Sequence, residues 1–182
     1  MKLRWSHAVL LVRDMEEMIG FYTKVLGFEV TDRGPFPAPD ANGAEIVFMS
    51  QVDTDHHQIA FVDKKRDGNP PNSVDHFAFR VDSLDDVKLM DKQLAEDGRV
   101  ENRLPLTHGN AWSIYFKDPE GNGIEVFCDT PWHVQQPQGT IWDRDKSNAE
   151  IADETRRGFE SEARFGPIED FYAKRASELK DR

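Results

Sequence analysis

YFKDPEGNGIEVF, residues 115–127, decides how the rest of the chain is read. Asp118-Pro119-Glu120-Gly121 followed by Asn122-Gly123 is strong turn chemistry. The apolar runs on either side, 112–116 and 124–128, predict the two strands of a hairpin. Glu125 stands in the second run, and a carboxylate on an apolar strand is costly to bury unless something pairs with it. His7 in SHAVLLV and His76 in DHFAFRV occupy similar apolar settings far upstream. A fold that brings them to Glu125 creates a two-histidine, one-carboxylate metal site with coordination positions left open.

Working outward, the order of elements repeats. A strand over 5–12 feeds an amphipathic helix with apolar residues Met15, Met18, Ile19, Tyr22, Val25 and Leu26, opened by Asp14 with Glu17 and closed by Gly27. Strands are predicted over 28–31, 44–50 and 56–62, with a Pro- and Gly-rich loop over 33–43. After the polar stretch KKRDGNPPN the order begins again, with a strand over 74–81 and a helix from Ser83 to Gly98. Strands over 99–104, 111–116 and 123–128 follow. His7 and His76 are 69 residues apart, and Ile46-Val47-Phe48 matches Ile114-Tyr115-Phe116 at an offset of 68. Carried forward, the second offset places His57 opposite Glu125 in the repeat.

The predicted fold is therefore α+β: two tandem βαβββ modules forming a curved mixed sheet around a metal site, with a C-terminal helical extension. The modules span 1–63 and 74–129, with a linker over 64–73 and together one domain, and the extension runs over 130–182. Within it a helix is predicted over 149–164, Gly166-Pro167 marks a break, and a last helix carries Ile168, Phe171, Tyr172 and Leu179. These apolar residues are too few for a separate core, so they pack on the body of the protein or on a neighbouring subunit.

The 182 residues carry a net charge of −11 with 31% charged and 38% hydrophobic residues, which fits a soluble acidic protein without a basic stripe for nucleic acid. No run is apolar enough to span a bilayer, and the N-terminal stretch does not read as a signal peptide. A single cysteine fits a reducing, cytoplasmic setting, and Cys128 reads as a packing residue. His57 is either a fourth ligand or an acid-base group beside an open coordination position. His56 is expected on the opposite face of its strand and solvated. Tyr115 reads as a strand aromatic, His108 as a loop residue, and His133 is given no role.

A histidine in each first strand and a Glu in the last strand of a duplicated βαβββ plan resembles the vicinal oxygen chelate superfamily. That group includes type I extradiol dioxygenases, glyoxalase I, methylmalonyl-CoA epimerase, and fosfomycin and bleomycin resistance proteins. His108, Ile114, Tyr115, Asp118, Pro119, Gly121 and Glu125 are similar in kind and spacing to the extradiol dioxygenase signature, with Leu106 where a small or β-branched residue is expected. HHQIAFV around His57 resembles the strand that carries the catalytic histidine of those enzymes. The likeness covers residues 5 to 128 and is to the small single-domain members.

It implies extradiol cleavage of a catechol-type aromatic, a bulky one such as a dihydroxybiphenyl included, with O2 as co-substrate. Fe(II), or Mn(II) in its place, would be held by His7, His76 and Glu125, and His57, Tyr115 and His108 would be catalytic. The alternative is a non-redox metal-dependent lyase or epimerase, glyoxalase-like, and after it a drug-sequestering binding protein. The partners implied are a small aromatic diol and further copies of the chain, with no nucleic acid and no membrane.

Overall fold

The computed structural model describes residues 5–36, 43–64 and 74–180, of which 178–180 as backbone only. Most of the loop expected over 33–43, the linker residues 65–73 and the side chain of Leu179 lie outside the described residues. The chain divides into two compact units, Met1–Asp75 with Asp118–Asn122, and His76–Lys117 with Gly123–Arg182.

The first unit holds strand β1 (Ala8–Leu11), helix α1 (Met15–Lys24) and strands β2 (Glu29–Pro35), β3 (Glu45–Ser50) and β4 (Ile59–Val62). The sheet order is β1-β4-β3-β2, with β1 parallel to β4 and the other pairs antiparallel. Asp14 caps α1 by accepting from the Glu17 N–H at 2.9 Å, as the sequence predicts. The helix buries Met18, Phe21 and Tyr22 completely, and Tyr22 meets Phe61 of β4 edge-on at 4.8 Å. Each such large side chain contributes about 1.5–3 kcal/mol relative to exposure. β2 runs on to Pro35, beyond the strand expected over 28–31, because it pairs with β3 past a bulge between Val30 and Asp32.

The turn Asp118–Asn122 belongs to this unit. The Asp118 carboxylate accepts from the Glu120 and Asn122 N–H groups, the Asn122 amide and the Tyr22 hydroxyl. Glu120 in turn accepts from the Arg13 and Asp14 N–H groups at 2.5 and 2.9 Å.

The second unit repeats the plan with β5 (His76–Arg80), α2 (Leu84–Asp97), β6 (Leu104–Thr107), β7 (Ala111–Lys117) and β8 (Gly123–Asp129). Its sheet order is β10-β6-β7-β8-β5, where β10 (Thr140–Ile141) comes from the C-terminal extension and β5 is parallel to β8. The tandem modules thus form two mixed sheets rather than one. Ser83 caps α2 and Gly98, at φ 76°, closes it in the left-handed conformation that glycine tolerates. β6 starts at Leu104, later than the strand expected over 99–104. Its pairing from Leu104↔Tyr115 to Thr107↔Trp112 fixes the register, and Arg103 just before it donates to the buried Asp91 at 2.8 Å.

The extension adds β9 (Trp132–His133), α3 (Asn148–Phe159), β11 (Gly166–Pro167) and α4 (Ile168–Lys180). It packs on the body of its own unit, one of the two placements expected. Val134, Trp142, Ile151 and Phe159 are buried, the Trp112 indole donates to Thr155 Oγ1 at 2.9 Å, and Arg144 donates to Asp91 at 2.8 Å. α3 ends at Phe159, short of the helix predicted over 149–164. A turn follows it, and Arg164 there takes a left-handed φ of 60°. Among the described residues no helix is long and apolar enough to cross a membrane.

Candidate active site

Glu125 is 8% exposed at the centre of β8, and its two oxygens have different partners. Ser113, fully buried on β7, donates to Glu125 Oε1 at 2.6 Å, while Oε2 lies 3.4 Å from His76 Nε2 at the start of β5. Two donors about 2.1 Å from one ion, at about 90–110° to each other, stand roughly 3.0–3.4 Å apart. The His76–Glu125 spacing therefore fits two neighbouring positions of one coordination sphere, and the donor types suit a divalent first-row metal.

Tyr115 completes the cluster. It lies directly across the ladder from Glu125, its ring meets His76 edge-on at 5.3 Å, and its hydroxyl is 2.9 Å from His108 Nε2. His108 Nδ1 is 2.6 Å from the Gln138 carbonyl. A carbonyl only accepts, so Nδ1 carries the proton, and in the neutral ring Nε2 accepts the Tyr115 hydroxyl. Gln136 Nε2 donates to the His108 carbonyl at 2.8 Å and to Asn110 Oδ1 at 3.1 Å. Gly109 (φ 79°) makes the close approach possible, since a Cβ there would lie 2.6 Å from Val134 Cγ1. His108 is thus a half-buried residue held by the extension, not a solvated loop histidine.

The first unit carries its own cluster. His7 immediately precedes β1, and its ring lies 4.3 Å from that of His57. Ser6 Oγ is 3.0 Å from His7 Nδ1. His57 lies in the loop before β4 rather than in a strand, with its ring 4.8 Å from Phe48. Burial lowers its pKa, and the neighbouring His7 and His56 lower it further. His56 is not turned to the opposite side, as strand alternation would require, because the two residues precede the strand. Its Nδ1 is 3.1 Å from His57 Nδ1 and its Nε2 is 3.5 Å from Asp32.

The ladders also revise the repeat. Val9 pairs with Ala60, and Ala78, 69 residues after Val9, pairs with Glu125. The hairpin ladders, Val47↔Phe61 and Tyr115↔Glu125, give Phe61 instead, so the counterpart of Glu125 lies at Ala60 or Phe61 within β4 and is not His57. The hairpin loop between β3 and β4 is three residues longer than the one between β7 and β8, which shifts everything after it.

Among the described residues no set of three or more His, Cys, Asp or Glu side chains is gathered that could hold a metal ion. The expected ligands and acid-base groups are present as two clusters, His7 with His57, and His76 with Glu125, Tyr115 and His108. Cys128 is buried, and burial pushes its thiol up to about 12, which fits a packing residue. Sequence reasoning missed Ser113 and Gln138. The period-two spacing of Ser113 and Tyr115 puts both on the face of Glu125, a signal the sequence did carry. Nothing local marks Gln138, which acts through its backbone.

A sequence model of the glyoxalase/bleomycin resistance protein/dioxygenase superfamily matches residues 4–126. The chain belongs to that superfamily. Among curated relatives, this superfamily member is 31% identical over 132 residues to biphenyl-2,3-diol 1,2-dioxygenase 3 of Rhodococcus globerulus, covering 69% of this chain and 63% of that protein. It is 27% identical over 144 residues to a metapyrocatechase of Pseudomonas sp. (strain CF600), covering 77% of this chain and 44% of that one. The chain thus spans less than two thirds of the length of these relatives.

Among solved structures, the superfamily fold is shared with a glyoxylase/bleomycin resistance protein/dioxygenase domain from Frankia sp. EAN1pec. The TM-score is 0.59 and the identity 20%, over 71% of this chain and 94% of that one. It is shared too with a fosfomycin resistance protein from Listeria monocytogenes complexed with Mn(II) and sulfate. There the TM-score is 0.54 and the identity 21%, over 71% and 95% of the two chains. At such identities the likeness is one of fold.

Proposed function

We propose that this chain is a metal-dependent enzyme of its superfamily, and that its reaction is extradiol cleavage of a catechol with O2. The carrying observation is the Tyr115–His108 hydrogen bond beside the His76–Glu125 pair. That bond fixes a phenol oxygen next to the candidate ligands, where it can accept from a substrate hydroxyl. The reading agrees with the dioxygenase names of the curated relatives.

His7, His76 and Glu125 would hold Fe(II), or Mn(II) with the same donor set. When bound, such a cation lowers the pKa of a substrate hydroxyl and brings the reactants together. Ser113 holds Glu125 so that Oε2 remains free to bind. The Tyr115 hydroxyl donates to His108, which leaves its oxygen lone pairs to accept from a substrate hydroxyl. His57, with its pKa lowered by burial, is neutral near pH 7 and takes a proton from the catechol at its ring nitrogen, later returning it as the ring opens. Positioned proton transfer of this kind is worth about 10²- to 10⁴-fold. Both atoms of O2 end in the product, the ring carbon–carbon bond beside the hydroxyls is broken, and the diol is oxidised as O2 is reduced.

A second reading is supported by the 4.3 Å approach of His7 and His57. Two imidazoles so close suit two ligands of one ion, which makes His57 a fourth ligand and the chemistry that of a non-redox lyase or epimerase. The likeness to the Mn(II)-complexed fosfomycin resistance protein, being one of fold, is compatible with either reading.

Oxygen uptake by the anaerobically Fe(II)-loaded protein, measured with a panel of catechols beside the absorbance of a yellow product, decides between them. Ring cleavage predicts stoichiometric uptake that is lost in Glu125→Ala, and a His57→Ala variant that keeps its metal but not its activity. No uptake, together with loss of metal from His57→Ala, establishes the second reading instead.

A further inference from the structure

The extension carries an open cleft of about 470 Å³ that shares no residue with the candidate active site. Its walls come from β9, β11, the turn before β11 and the first half of α4. They carry three cations, Arg164, Lys174 and Arg175, against one carboxylate, Asp170, in a chain whose net charge is −11. Among the described residues Arg164 and Lys174 make no ion pair. An uncompensated pair of cations in a concave site of an acidic protein raises the local concentration of anions.

Beside Lys174 and Arg175 on the same face of α4, Phe171 supplies a flat aromatic surface. The His133 ring stacks on Phe171 with centroids 3.8 Å apart and planes 9° from parallel, and Pro167 adjoins them. The field of Arg164 reaches this surface, since burial and the Arg164 charge together lower the His133 pKa. Arg164 itself sits at φ 60°, a conformation that costs a non-glycine residue free energy. At that position a glycine would fit the backbone better than the residue present.

We propose that this cleft binds a small organic anion with a flat apolar body, an aromatic carboxylate. The carboxylate faces Arg164 and Lys174, and the ring lies against Phe171 and Pro167. A cleft of this size is in the range of small-molecule sites, and a guanidinium beside an ammonium matches a carboxylate in charge and geometry.

The test is calorimetric titration of the full chain with 2-naphthoate, its neutral isostere 2-naphthamide, and inorganic phosphate. Naphthoate is expected to bind, naphthamide and phosphate at least roughly tenfold more weakly, and Lys174→Gln to weaken naphthoate roughly tenfold. Arg164→Gly relieves the backbone while removing the guanidinium, so it should be at least as stable thermally and lose binding by a similar factor. Glu125→Gln is expected to leave the titration unchanged. Equal binding of naphthamide or phosphate, unchanged binding in Arg164→Gly, loss of binding in Glu125→Gln, or no heat with naphthoate at millimolar concentration would each overturn the proposal.

Discussion

Ser113 donates to Glu125 Oε1 at 2.6 Å from a fully buried position, two residues from the tyrosine that faces Glu125 across the ladder. The hydroxyl satisfies one carboxylate oxygen and so aims the other at His76. Replacing it leaves a buried acceptor with no donor. Ser113→Ala is expected to lower affinity for Fe(II) or Mn(II) by about 10- to 100-fold and stability by about 1–3 kcal/mol. Metal titration and urea denaturation measure the two, and unchanged metal affinity would argue against a ligand role for Glu125.

Tyr115 and His108 act as one unit if the hydrogen bond between them is what matters. Tyr115→Phe and His108→Gln are each expected to lower kcat/KM for a catechol by about 10²-fold, and the double variant to fall little further. Metal content should be the same in all three. Additive losses would show that the two residues work separately.

Gly109 carries the chain past Val134 and Phe159, with the position of a Cβ only 2.6 Å from Val134 Cγ1 and a φ of 79°. Gly109→Ala is expected to destabilise the protein by about 2–4 kcal/mol, from strain and overpacking together. It should also release the loop that holds His108. A urea midpoint within error of the wild type would show that the extension yields at this point.

Tyr22 is fully buried against Asp118, and burial first, then the Asp118 charge, raises its pKa well above 10. Below about pH 10 the folded and unfolded chains both hold the phenolic proton, and the contribution is intact. Above it the unfolded chain releases a proton that the folded chain keeps. Stability therefore falls by about 1.4 kcal/mol per pH unit until the folded pKa is passed. Tyr22→Phe should cost about 1 kcal/mol at pH 8, through the lost hydrogen bond to Asp118, and should flatten the decline between pH 10 and 11. Parallel curves for the two proteins in chemical denaturation would assign the alkaline transition to another group.

The chain's own residues set the elements. Asp14 and Ser83 start helices, Gly98 stops one, and the DPEGNG turn joins two strands, because caps and turns are local chemistry. The recurrence of the two first-strand histidines and the apolar strand around Glu125 made the duplicated plan and the ligand candidates legible, since periodicity and composition survive without coordinates. Register was not legible. The correspondence of Glu125 with the middle of β4 rather than with His57 depends on a hairpin loop three residues longer in the first module, and the start of β6 depends on which residues of β7 it meets.

Tertiary structure alone decided what surrounds each polar group. Ser113 under Glu125, the Gln138 carbonyl behind His108 and the approach of His56 to His57 are contacts between residues whose types say nothing of their partners. The extension read as an appendage because its apolar residues are few. It is held instead by single well-placed groups, Trp142 under β7, Thr155 on Trp112 and Arg144 on Asp91. A sequence names the donors and acceptors, but only the packed chain brings them within hydrogen-bonding distance.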